Sequence, residues 1–225
     1  MNTAENSSQN TAENSAENAE AGAESTAPSA PRTLVGDIAP DAALLVIDVQ
    51  KAWHDPSFPP RDNPAAEDNM AQLIDAWQET GRPVVFVRHD SPKADSPLRP
   101  GQEGNDFQPF VEQRRGKGTG PELLLTKTVN SAFIGTPDLR DWLDGAGIRQ
   151  IVVVGVMTNW CVETTARMGG NLGYDVVVPI DATHTFDAVG PDGHSLTADE
   201  LARATATNLH AGGFAKVVRT ADLLG

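Results

Sequence analysis

The stretch QIVVVGVMTNWCVETTARMGGNLGYDVVVPI, residues 150–180, decides the fold. It opens with the apolar run QIVVVGV (150–156), passes into a helical pattern near 161–172 and closes with a second run, YDVVVPI (174–180). Val and Ile in near-continuous runs, without polar alternation, indicate strands buried on both faces. Two such strands joined by one helix form a right-handed βαβ unit. Working outward, ALLVIDV (43–49), PVVFVRH (83–89), ELLLTKT (122–128) and AKVVRT (215–220) repeat the pattern, with candidate helices near 65–80, 138–146 and 198–211. Gly81 and Gly147 fall at helix-to-strand turns, where a C-terminal glycine belongs. The expectation is an α/β fold: a doubly wound, six-stranded parallel sheet with helices on both faces, a three-layer sandwich.

The remaining bulk properties bound the function. A chain of 225 residues, 39% hydrophobic, can bury one sizeable core. Residues 1–33 differ in kind: Ala-Glu-Asn occurs three times and no aromatic, Leu, Ile or Val precedes Leu34. Such a segment cannot bury enough surface to offset its ordering entropy, so 1–33 is expected to be a disordered tail and 34–225 the folded domain. The formal net charge of −14 argues against nucleic acid or an anionic membrane as partner, since both require clustered Lys and Arg. The single cysteine precludes an internal disulfide, and no run approaches a membrane span or a secretory h-region. A cytoplasmic protein acting on a small molecule is the expectation.

In open parallel sheets ligands bind beyond the C-terminal ends of the strands, and two Pro- and Gly-rich segments, 53–64 and 90–121, belong there. So do three chemically active side chains. Asp48 ends the first run, Lys127 ends the third, and Cys161 begins the helix after the fourth. Each has a bland reading: a turn-capping Asp, a snorkelling Lys, an inert core thiol. An inert thiol, however, belongs within a strand or on a helix face rather than at a strand-to-helix elbow. At the elbow, backbone dipoles and a nearby Lys favour a thiolate, and free N–H groups can receive an oxyanion. Together the three positions point to a nucleophile with an acid/base and a cation beside it.

These residues resemble the isochorismatase-like cysteine hydrolases, which include nicotinamidases, N-carbamoylsarcosine amidases and ureidoacrylate amidohydrolases. The resemblance rests on LLVIDVQ (44–50), TKTVNSAF (126–133), GVMTNWCVETTARMGGNLGYDV (155–176) and DATHTFD (181–187), in the family's order and spacing. It implies Asp48, Lys127 and Cys161 as a catalytic triad. It also implies a non-proline cis peptide between Val156 and Met157, and an oxyanion hole formed by the backbone N–H groups of Met157 and Cys161. The implied reaction is hydrolysis of a C–N bond through a thioester, with no cofactor, in a protein that forms dimers or tetramers.

Departures from the family pattern narrow the reading. Nicotinamidases carry an Asp-x-His metal element; here the region reads VRHDSPKADSP, so no required metal is expected and nicotinamidase activity is disfavoured. Trp160 stands where many relatives have His, and Trp53 lies five residues past Asp48. With Phe133 they are candidate pocket residues, the alternative being that they pack under loops or at a subunit contact. The runs SPLRPGQEGNDF and RMGGNLGYD look closest to a branch that includes enzymes opening the lactam of streptothricin antibiotics. The alternatives are an isochorismatase-type vinyl-ether hydrolase, disfavoured by the presence of Cys161, and an idle binding relative, disfavoured by the intact Asp/Lys/Cys set.

Overall fold

The computed structural model describes residues 38–224, and the tail expected over 1–33 lies outside them. In chain order the elements are β1 (Ala43–Ile47), α1 (Ala66–Glu79), β2 (Val84–His89), α2 (Pro109–Glu112), β3 (Glu122–Lys127), β4 (Gly135–Thr136) and α3 (Leu139–Gly145). They continue with β5 (Gln150–Val156), α4 (Glu163–Asn171), β6 (Asp175–Pro179), β7 (Thr183–His184), β8 (Ala188–Val189), β9 (Ser195–Leu196), α5 (Ala198–Ala211) and β10 (Lys216–Val218).

The strands expected from the apolar runs form the sheet in the order β10-β6-β5-β1-β2-β3, all parallel. From β1 the chain winds outward through β2 and β3; from β5 it winds the other way through β6 and β10. The reversal lies between β1 and β5, the crevice where doubly wound sheets bind their ligands. Alternate residues of each buried strand face opposite helical layers. Leu44, Val46, Phe86, Val152 and Val154 meet α1 through Met70, Leu73, Ile74 and Trp77, an i, i+3, i+4, i+7 stripe. Leu45, Ile47, Val85, Ile151 and Val153 meet Leu139 and Leu143 of α3, Ala166 of α4 and Leu209 of α5. Burying each large aliphatic side chain contributes about 1.5–3 kcal/mol.

One glycine is dictated by the crevice. Gly155 has φ +124°, and a Cβ there would lie 2.1 Å from the Ile47 carbonyl oxygen, so only glycine allows β5 to pass β1 at this point. Three features were not expected from sequence: β4 pairs antiparallel with β3, β7 extends the sheet beside the end of β5, and β8 and β9 form a separate hairpin. Each strand has only two residues, too few to display a hydrophobic period. The long 90–121 segment holds short helical pieces, among them α2. Among the described residues no helix is long and apolar enough to cross a membrane.

Candidate active site

Immediately after β1 the backbone of Asp48 turns into the left-handed region, with φ +52°. Asp is one of the few side-chain-bearing residues that adopt it readily. Its N–H donates to Val87 O (2.9 Å), and its own carbonyl accepts from Gln50 N (2.8 Å) and Trp53 Nε1 (2.6 Å). The turn directs a fully buried carboxylate at Lys127, the last residue of β3, whose Nζ donates to Asp48 Oδ2 at 2.5 Å. The second oxygen, Oδ1, is buried without a hydrogen-bond partner. Removing one member of such a desolvated pair typically costs about 3–5 kcal/mol, because it strands the other.

Cys161 lies in a single π-helical turn, Thr158–Val162, that leads into α4. The peptide bond entering the turn, Val156–Met157, is cis, as the resemblance implied. Met157 O accepts the N–H groups of Trp160 (3.1 Å) and Val162 (3.2 Å). Two side-chain bonds tie the turn to the segment after β6: Thr158 Oγ1 to Thr183 Oγ1 (2.9 Å) and Thr185 Oγ1 to Asn159 Oδ1 (2.5 Å). The sulfur of Cys161, a carboxylate oxygen of Asp48 and a ring nitrogen of His89 lie within 4.8 Å of one another. The expectation of a favoured thiolate needs correction. Burial raises the thiol pKa, the negative charge of Asp48 raises it further, and Lys127 opposes them only in part. Cys161 is the fourth residue of its helical turn and packs among the apolar side chains of the α3–α4 layer, so desolvation outweighs the nearby cation.

The structure also places His89 inside the site. It ends β2 opposite Lys127 in the strand register, and its Nδ1 lies 3.2 Å from Lys127 Nζ. The imidazole pKa lies below its ordinary value, through burial first and the Lys127 charge second. The sequence signal was available, since PVVFVRH carries a histidine at a strand end just as ELLLTKT carries a lysine. His54 goes elsewhere: its Nε2 meets Glu67 at 2.6 Å. Asp48, His89 and Cys161 carry donor atoms that a metal ion accepts. The Lys127 ammonium, bonded to two of the three, already supplies the positive charge, so the set does not fit a cation.

The three candidate pocket residues separate. Trp53 sits beside Asp48 through its indole bond and forms a ring cluster with Phe58 (5.4 Å) and Phe186 (6.2 Å). That cluster lines a cleft of about 360 Å³ with His54 and Arg61. Phe133 is buried and stacks on Tyr174 at 5.5 Å, in the same core layer as Cys161. Trp160 is half exposed on the nucleophile turn.

The comparisons agree with this architecture. Residues 42–221 match the isochorismatase domain model. Nicotinamidase 3 of Arabidopsis thaliana is 33% identical over 185 residues, 79% of this chain and 84% of that protein. Streptothricin hydrolase of Streptomyces noursei is 32% identical over 161 residues, 71% of this chain and 61% of that protein. A solved structure of an isochorismatase-family protein from Chromobacterium violaceum has a TM-score of 0.76 and 39% identity, covering 84% of this chain and 95% of that one. The switch-point crevice, the strand order and a domain match that spans both ends of the sheet have one common explanation: this chain belongs to the isochorismatase domain family.

Proposed function

We propose that this protein is a cysteine-dependent hydrolase that cleaves a C–N bond of a small amide, ureido compound or lactam through a thioester on Cys161. The observation that carries the reading is the buried Asp48 carboxylate. One oxygen is held by Lys127, the other has no partner, and the group lies within 4.8 Å of the only thiol in the chain. A buried acceptor without a donor is costly, and such groups collect where chemistry supplies the missing proton.

The steps follow from this arrangement. Because the thiol is held protonated, its proton passes to Asp48 as the sulfur attacks the carbonyl carbon. The carbonyl oxygen becomes an oxyanion and is received by the backbone N–H groups of Met157 and Cys161. As the C–N bond breaks, Asp48 returns the proton to the nitrogen, which departs as ammonia or an amine and leaves an acyl thioester. Asp48 then takes a proton from water, whose oxygen attacks the thioester; the C–S bond breaks and the sulfur recovers the proton. An amide yields a carboxylic acid and the amine, a ureido compound a carbamic acid and the amine, and a lactam a single ring-opened amino acid. Throughout, the Lys127 ammonium compensates the negative charge that moves between Asp48, the sulfur and the oxyanion.

For the substrate, an aromatic wall at Trp53 next to Asp48 suits a flat or extended molecule. Similarity to streptothricin hydrolase supports a lactam of that type. The 87–97 region, VRHDSPKADSP, carries no Asp-x-His element, which weighs against nicotinamide despite the similarity to Nicotinamidase 3. The test is product release from primary amides, ureido acids and streptothricin-type lactams, with the native protein and Cys161→Ala. Amine release or ring opening by the native protein alone supports the reading; equal turnover by the variant overturns it.

A further inference from the structure

We propose that His89 is a positioning residue: its Nδ1 is the second acceptor that orients the Lys127 ammonium, and the buried amides of Gln50 and Asn105 hold His89 where it can do so. The inference rests on the reading above, in which Lys127 serves the chemistry at Cys161.

Lys127 has a side chain removed from water and three N–H donors to place. Asp48 Oδ2 takes one at 2.5 Å and His89 Nδ1 another at 3.2 Å, with the Cys161 thiol also beside the ammonium. Lysine offers no lone pair, so Nδ1 must accept and the ring proton must sit on Nε2. A doubly protonated ring has no acceptor and would set two cations side by side. The groups facing the ring are Lys127 from β3, Asp48 after β1, Asp90 beside it in the chain and Cys161 from the π turn.

The backbone around His89 is held unusually firmly for a strand end. Gln50 Oε1 accepts from His89 N (2.9 Å), and Gln50 Nε2 donates to His89 O (3.1 Å) and Asn105 O (2.8 Å). Asn105 Nδ2 also donates to His89 O (3.0 Å), and Asp90 N donates to Lys127 O (2.8 Å). Gln50 and Asn105 are themselves buried, so their amide groups are committed to this strand end rather than to water. This gives the Gln of the Asp48-Val49-Gln50 element a task. One turn carries the carboxylate and also docks the imidazole, so the two acceptors of Lys127 move together.

The test uses two readouts. Nitrogen-15 NMR of histidine-labelled protein at pH 7 reports the tautomer directly: an unprotonated Nδ1 and a protonated Nε2 on His89 are expected. Replacing Lys127 with Met should remove that preference. In parallel, the rate at which iodoacetamide alkylates Cys161 is compared in His89→Leu and His89→Gln. Loss of the acceptor in His89→Leu should slow alkylation about tenfold, equivalent to one unit of thiol pKa. The amide oxygen of His89→Gln should restore it to within about threefold. A protonated Nδ1, or equal rates in the two variants, overturns the proposal. The NMR result stands apart from the thioester reading, which fails instead if Cys161→Ala retains hydrolysis.

Discussion

Asp48 and Asp62 are both buried carboxylates at the same edge of the sheet, and they are held in opposite ways. Asp48 is in direct contact with an ammonium and keeps one oxygen unpartnered. Asp62 is bound to backbone: its Oδ1 accepts from Thr185 N (2.7 Å) and its own N–H donates to Thr185 O (3.3 Å). Burial pushes the Asp62 carboxyl up to about 6; the charge of Asp199 adds to this, while the Thr185 N–H and Arg61 oppose it. The contrast teaches what burial alone does. Without a cation in contact, a buried carboxyl resists ionisation, and Asp62 serves as a clasp between the 53–64 segment and the residue after β7. With one, the Asp48 carboxylate is held against the Lys127 ammonium, and under the proposed mechanism it takes the thiol proton.

Breaking the comparison at Asp48 gives the largest effect. Asp48→Asn removes the proton acceptor and strands the Lys127 charge. Hydrolysis should fall about 10³-fold, and stability should fall by about 3–5 kcal/mol, read as initial rates and a denaturant midpoint. Lys127→Met makes Asp48 resemble Asp62. Turnover should fall about 10²-fold, since the charge that moves between Asp48, the sulfur and the oxyanion loses its compensating cation.

Asp62→Asn sharpens the contrast from the other side. The folded-state pKa of Asp62 is raised above its unfolded value, so its contribution is fully present below about pH 4 and is lost as pH rises through about 6. The Asn variant escapes that loss while keeping an acceptor for Thr185 N. It should be more stable than the native protein by about 2 kcal/mol at pH 7 and equal to it at pH 3.5, with unchanged turnover. The smallest effect belongs to Asp75–Arg114, a two-pronged pair at 2.7 and 2.9 Å that remains in contact with water. Arg114→Ala should cost about 0.5–1 kcal/mol, because solvent screens what the interior does not.

The same contrast marks what was legible in the sequence. Asp48, Lys127 and Cys161 were readable because parallel strands with continuous apolar runs bring their ends to one edge, and a charge at the end of such a run stands out. The six parallel strands were legible for the same reason, whereas their order in the sheet is supplied by the structure. The state of the thiol was not readable, because it depends on how deeply the π turn sinks Cys161 among Phe133, Leu139 and Val162, a matter of three-dimensional packing. His89 was half visible: its position was clear, but its bond to Lys127 depends on the register that sets the two opposite each other. Gln50 and Asn105, 55 residues apart, offered no local sign that they converge on one strand end.

The central claim is that Cys161 carries the acyl group, and a titration of activity against alkylation tests it most directly. Samples treated with increasing iodoacetamide are assayed on whichever amide, ureido acid or lactam the panel identifies, and the fraction modified at Cys161 is read from intact mass. The account predicts that activity falls in strict proportion and reaches zero when Cys161 is fully alkylated. Turnover that persists in the fully alkylated protein would contradict it.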